Sequence, residues 1–278
     1  MVYSCTIMYE VVTLTSWDLP ELAPYRTMRR PMEHRLQGIF IAEGEKVVRR
    51  MLESSVEVVS LILPPKWLEI YKPLLEKRPE SVRVYQGEKA VLEQLSGFTF
   101  YQGVIGVGRI PVLPPLEKIL EKEQIPDLWI ATDQVTSGGN IGGICRNAAA
   151  LGAQAILIGE TSCTPFIRWA VHGSMGELFK LQIVEPPSLK EALVALKCRG
   201  IRCIAAHPHA EGKTLPQCNL KSPICFVFGS EGTGISPEIL AECDEAIAIP
   251  MSFGADSLNI ASCVGIFLYE AQRQRGKM

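Results

Sequence analysis

Three segments in the second half of the chain hold residue types that could do chemistry. The first runs Asp133-Gln-Val-Thr-Ser-Gly-Gly-Asn140-Ile-Gly142-Gly143-Ile-Cys-Arg146-Asn-Ala148. It passes from a predicted strand into a predicted helix, so it offers free backbone amides at a helix start and carries Arg146 one to two turns inside. Taken alone, it reads more readily as a loop with an exposed arginine than as a site. The second, Phe228-Gly229-Ser230-Glu231-Gly232-Thr233-Gly234-Ile235-Ser236, has glycines spaced much as in a phosphate-binding loop. Ile235 stands where the phosphate-cradling lysine must be, and the spacing is not G-x-G-x-x-G, so ATP and NAD are weak candidates. The third is Ile249-Pro250-Met251, followed by Ser257-Leu258-Asn259-Ile260 opening the last helix. A Ser-x-Asn pair at that place is, by itself, a good helix cap.

Each segment follows a predicted strand, and ligands of open α/β sheets bind at the carboxyl ends of the strands. Apolar spacing predicts strands over 128–132, 155–158, 181–184, 203–206, 224–228 and 246–249. Between and after them come helices over 142–151, 165–172, 189–199, 237–243 and 257–274. That alternation implies a parallel sheet covered on both faces. Ahead of it, strands over 38–44, 58–63, 82–85 and 103–107 and helices over 45–52, 67–75 and 89–95 form a smaller α/β unit. The prolines of Ile110-Pro-Val-Leu-Pro-Pro115 then break the pattern. The expected division is a first domain over 1–112, a linker over 113–126 and a second domain over 127–278.

Composition bounds the function classes. With 278 residues, 47% apolar and 21% charged, the chain can bury a full core without staples. No apolar run reaches membrane-spanning length, and the segment before Leu22 lacks the basic start of a signal peptide. Nine cysteines with no CxxC pair fit reduced thiols in a cytoplasmic protein better than a disulfide framework, and their spacing supports no metal site. The net charge of −2 does not mark the whole protein as a nucleic-acid binder. Residues 26–50, however, carry Arg26, Arg29, Arg30, Arg35, Lys46, Arg49 and Arg50 against Glu33, Glu43 and Glu45, an excess that could meet phosphates or form a solvated helix face.

Considered together, the three segments are specific. Asn140-x-Gly142-x-x-x-Arg146, then Gly229-x-Glu231-Gly232-x-Gly234, then Ile249-Pro250-Met251 with Ser257-Leu258-Asn259 resembles, in order and separation, the three motifs of the SpoU (TrmH) family of RNA 2′-O-methyltransferases. Gly173-Ser174-Met175-Gly176-Glu177-Leu178-Phe179 resembles that family's intervening segment, and the likeness covers about 150 residues. More weakly, Ala42-Glu43-Gly44 and Tyr101-Gln102-Gly103-Val104 make the first domain similar to the L30e-like substrate-binding domain of many members. The resemblance implies an α/β fold whose parallel-sheet domain ends in a deep trefoil knot, a rarity among chain topologies. It implies S-adenosylmethionine as cofactor, held by Gly229, Ile249, Leu258 and Ala206, and a homodimer with sites near its interface. It implies Arg146 as the residue that contacts phosphate and assists deprotonation of a ribose hydroxyl. Asn140, Glu231, Ser257 and Asn259 are then expected to orient ribose, cofactor loop and one another. Phe253-Gly254 and Ala261 depart from the family pattern, which more often has glycine one position before Gly254 and serine at 261.

The RNA contacts expected in the first domain are Arg26, Arg29, Arg30, Glu43 and Arg49, with Tyr25 as an aromatic partner. His207-Pro-His209 reads as a loop pair, His172 carries no assigned role, and Trp67, Trp129 and Trp169 fit core packing better than base stacking. The expected activity is methyl transfer to a ribose 2′-hydroxyl of ribosomal or transfer RNA. The alternatives are a catalytically silent RNA-binding or assembly factor and an RNA base methyltransferase.

Overall fold

The computed structural model describes residues 9–14, 16–88, 92–93, 103–208, 210, 213–252 and 256–277. The chain divides into two compact units, residues 1–111 with 166–179, and residues 112–165 with 180–278.

The first unit is built on five strands: β1 (Tyr9–Thr13), β2 (Ile39–Glu43), β3 (Val58–Leu63), β4 (Val82–Gln86) and β5 (Ile105–Arg109). Their order is β1-β4-β3-β5-β2, with β5 antiparallel to both neighbours and the other pairs parallel. The helix Glu45–Glu53 buries Val47, Val48, Met51 and Leu52, the face its spacing predicts. Arg78 is 5% exposed and organises the turn between that helix and β3. It donates to the carbonyls of Leu52, Ser54 and Val56 at 2.9, 2.5 and 2.5 Å and to Glu80 Oε1 at 2.7 Å.

The second unit carries β6 (Leu128–Thr132), β7 (Ala155–Ile158), β8 (Gln182–Val184), β9 (Arg202–Ala206), β10 (Ile224–Phe228) and β11 (Glu245–Ile247). They form one parallel sheet in the order β11-β9-β10-β6-β7-β8. Alternate side chains serve opposite faces. Trp129, Ala131, Cys225 and Val227 pack with Leu189, Leu193 and Ile239 on one face. On the other, Phe226 and Phe228 meet Phe267 of the last helix edge-on, at centroid distances of 5.2 and 5.4 Å.

Several expectations need correction. Residues 113–126 are no linker, because Leu116, Ile119 and Leu120 of a short helix join the core of the second unit. Conversely, 166–179 belongs to the first unit, where Phe40 meets Phe166 and Phe179 at 5.6 and 5.5 Å. The strand β1 and the short helices Ala23–Arg26 and Pro31–Leu36 went unpredicted; β1 is mostly unburied and held by backbone pairing to β4, which leaves little apolar period to read. The helix expected to start at Gly142 starts at Gly138, since Ser137 caps it and outweighs the low helix propensity of Gly138-Gly139. The last helix likewise starts at Ile260, leaving Ser257 and Leu258 in the loop before it. The helix expected over 89–95, Tyr101-Gln102, His209 and Phe253-Gly254 lie wholly or largely outside the described residues. No described helix is long and apolar enough to cross a membrane, and the described residues contain no cluster with metal-holding potential.

Arg78→Met removes a buried cation from three carbonyls and a carboxylate. It is expected to lower the unfolding free energy by roughly 3 kcal/mol, read from urea titration of the intact chain; an unchanged midpoint would deny Arg78 this role.

Candidate active site

Register places the ends of the central strands together. Phe228 pairs with Thr132, Val227 with Ala205, and Ile247 with Ala206, so the segments after β6, β9, β10 and β11 all leave the sheet at its carboxyl end. There they enclose a cavity of roughly 380 Å³ lined by Ala206, Gly229, Ile249 and Leu258, the four residues expected to hold a cofactor. Glu231, Ser257, Asp256, His207, Cys263 and Phe267 also line it.

The Gly229 loop is closed by its own backbone. Ser230 and Gly234 exchange both N–H···O bonds at 3.0 Å, and Gly234 sits at φ +72°, a conformation that suits glycine. A Cβ on Gly229 would lie 2.0–2.2 Å from the backbone of Gly234 and within 2.2 Å of the Ile235 nitrogen, so only glycine fits there. The loop is tied to the turn after β6 at two points. Thr233 Oγ1 donates to Gln134 Oε1 at 2.8 Å, and the Ser236 amide donates to Asp133 Oδ2 at 2.7 Å. Asp133 is 4% exposed and also accepts from Thr161 Oγ1. Gln134 holds a left-handed φ of 57°, uncommon for a residue with a side chain.

Asn259 joins the three motifs. Its Oδ1 accepts from the Ala261 amide at 3.0 Å, capping the last helix, Ile260–Gln274. Its Nδ2 donates to Asn140 Oδ1 at 3.1 Å and to Glu231 Oε1 at 2.7 Å. That helix packs closely on Gly138–Ala150. A Cβ on Gly143 would come within 2.8 Å of Ala261 Cβ, and Asn147 Nδ2 donates to the Ala261 carbonyl at 2.5 Å. The small side chain at 261 therefore suits the helix crossing.

Arg146 is not brought to this cavity. It lies six residues beyond Asn140, about 240° around the helix, exposed and not among the lining residues. More than two turns separate it from the helix start, rather than one to two. Cys263 Sγ lies 3.8 Å from the Leu258 carbonyl, and burial pushes its thiol pKa up, so it is a neutral wall of the cavity at pH 7.

The residues expected to meet RNA in the first unit fare unevenly. Arg29 is exposed. Arg26 donates to the carbonyls of Trp17 and Leu19, Arg30 pairs with Glu33, and Arg49 pairs with Glu45. Glu43 is committed elsewhere, since its Oε2 accepts from Arg168 Nε and Nη2 at 2.9 and 2.6 Å with both side chains 13% exposed. Tyr25 is buried at 1% exposure, and its hydroxyl bonds Ser60 Oγ at 2.8 Å, so it is a core residue and not a surface partner. Trp129 is buried as expected, but Trp169 is 64% exposed. Among the described residues eight cysteines are free thiols, and four of them are buried.

Asp133, Asp256, His207 and Cys263 are site residues to which the motifs assign no role. Asp133 carried a legible signal, a carboxylate directly after an apolar strand and before a glycine-rich turn. The others stand beside quoted motif residues but show their role only once the loops converge.

Residues 127–269, just over half the chain, match the SpoU rRNA Methylase family model. This chain belongs to that family. An uncharacterised tRNA/rRNA methyltransferase of Mycobacterium tuberculosis is 30% identical, over 92% of this chain and 90% of that protein. A 23S rRNA (guanosine-2′-O-)-methyltransferase of Acinetobacter baylyi is 28% identical over 84% and 96%. The crystal structure of an AdoMet-bound rRNA methyltransferase from Sinorhizobium meliloti superposes with a TM-score of 0.80 at 26% identity, covering 95% of this chain and 98% of that one.

Gly229→Ala forces the loop open and is expected to cost roughly 1–3 kcal/mol and lower the thermal midpoint. Gly232→Ala, where a Cβ meets nothing within 4 Å, is expected to leave it within a degree or so. Equal midpoints for the two variants would refute the close-contact account.

Proposed function

We propose that this SpoU-family protein transfers a methyl group from S-adenosylmethionine to a ribose 2′-hydroxyl of structured RNA, with ribosomal RNA the favoured substrate. The observation that carries the reading is the convergence of Ala206, Gly229, Ile249 and Leu258 on one cavity, reached by the Asn140–Asn259–Glu231 hydrogen-bond chain. The cavity fits the cofactor. Its volume falls within the roughly 300–1,000 Å³ of small-molecule sites, and its walls mix apolar side chains with backbone polar groups and two carboxylates, Glu231 and Asp256. Carboxylates there complement a cationic sulfonium. When bound, S-adenosylmethionine supplies an electrophilic methyl group.

The chain's own residues would do the rest. Gly229, Ile249 and Leu258 hold the cofactor in a fixed pose, because methyl transfer in line is largely a positioning task. Glu231, tethered by Asn259, orients the cofactor loop, with Asn140 and Ser257 at the ribose. Arg146, a planar fork of five N–H donors, grips the adjacent phosphate and positions it beside the hydroxyl, whose proton passes to a phosphate oxygen or to solvent as the oxygen attacks. Since Arg146 does not line its own cavity, it is assigned to act across a two-fold interface on the cavity of a second copy. The return of three loops to one end of the sheet supports reading them as the family's trefoil knot, and the mixed sheet of the first unit supports reading it as an L30e-like RNA-binding domain. Arg29 is its best-presented RNA contact. The 2′-O specificity of the Acinetobacter baylyi relative supports ribose over base as acceptor.

Arg146→Ala is expected to lower methyl transfer to rRNA at least a hundredfold, while calorimetry gives wild-type affinity for S-adenosylmethionine. Undiminished transfer would remove Arg146 from the mechanism, and a wild-type protein that binds no S-adenosylmethionine would overturn the functional reading.

A further inference from the structure

Tryptophan is highly buried on average in folded proteins, and Trp129 follows that rule with no exposure. Trp169 does the opposite at 64% exposed. It is on the helix Arg168–Gly173 of the first unit, and His172, also exposed, follows three residues later on the same face. The guanidinium of Arg168 sits over the indole ring, 5.1 Å from its centroid. Arg168 is itself fixed by its two hydrogen bonds to Glu43 Oε2. His172 Nδ1 lies 3.3 Å from the Glu43 carbonyl oxygen, so Glu43 steadies both flanks of the tryptophan. The outcome is an indole with one side backed by a pinned cation and much of its surface open to water.

We propose that Trp169 is a stacking platform for an unpaired RNA base, with His172 as the neighbouring ring. The inference rests on the reading that this chain acts on RNA. Aromatic rings, imidazoles and guanidinium planes are the groups on which splayed-out RNA bases stack. A cation over one side of the ring favours stacking on the other, and a platform that is already held loses little entropy on binding. Stacking is tolerant of sequence, so the platform recognises a single-stranded segment and not a particular base. A core role would require burial, and Trp169 is mostly exposed.

The test uses the full chain and two labelled probes, a short oligouridylate and a blunt RNA duplex of equal length, titrated by fluorescence anisotropy. Trp169→Ala is expected to weaken oligouridylate binding about tenfold and to leave the duplex unaffected. Trp169→Phe is expected to recover most of the loss, with circular dichroism and S-adenosylmethionine affinity unchanged in both variants. Wild-type affinity of Trp169→Ala for oligouridylate overturns the proposal, as does an equal loss on both probes. A changed sedimentation coefficient without a change in RNA affinity also overturns it and assigns the ring to a protein contact. If Trp169-dependent binding holds but the wild-type protein methylates no RNA, the platform stands and the methyltransferase reading falls.

Discussion

The side-chain amide of Asn259 ties together segments that lie 119 and 28 positions away in sequence, Asn140 and Glu231. The bond to Asn140 contributes only about 0.5–1.5 kcal/mol and the one to the Glu231 carboxylate about 1.5–3 kcal/mol, too little to bring distant loops together against their conformational entropy. The parallel sheet does that part. With β11, β9, β10 and β6 adjacent in the sheet and in register, the segments that follow neighbouring strands begin about 5 Å apart, and the Asn259 bonds select one arrangement among those left. The site is thus a consequence of strand order, fine-tuned by polar contacts.

Backbone and side chains divide the work. The loop at Gly229 is shaped by main-chain bonds and by the absence of a Cβ, and it is anchored below by Asp133 and Gln134. Such a cradle has little to reorganise when a ligand arrives, which is the condition for preorganised binding. The side chains that could act on RNA lie on the surface instead. Arg146 on its helix and Trp169 backed by Arg168 are presented outward.

Much of this was legible in the residues. Buried strands such as Val58–Leu63 and Ile224–Phe228 announce themselves as apolar runs with β-branched or aromatic side chains, and their ends matched the structure residue for residue. The four cavity residues were named from motif resemblance, since no periodicity argument links Ala206 to Leu258. What the sequence hid depends on context. Ser137 starts its helix before the glycines that appear to forbid it. Tyr25 among arginines reads as a surface aromatic, yet the Ser60 hydroxyl and the core of the first unit claim it. Trp169 reads as core because tryptophan so often is, and no local pattern shows that its helix leaves the ring outside.

In the proposed function, the cavity at the carboxyl ends of the strands aims a methyl group at a sugar oxygen. Nucleoside mass spectrometry answers this most directly, applied to rRNA from cells lacking the gene after incubation with the purified protein and S-adenosylmethionine carrying a labelled methyl. Label is expected in a 2′-O-methylated nucleoside; label on a base, or none in any nucleoside, would contradict the proposed function.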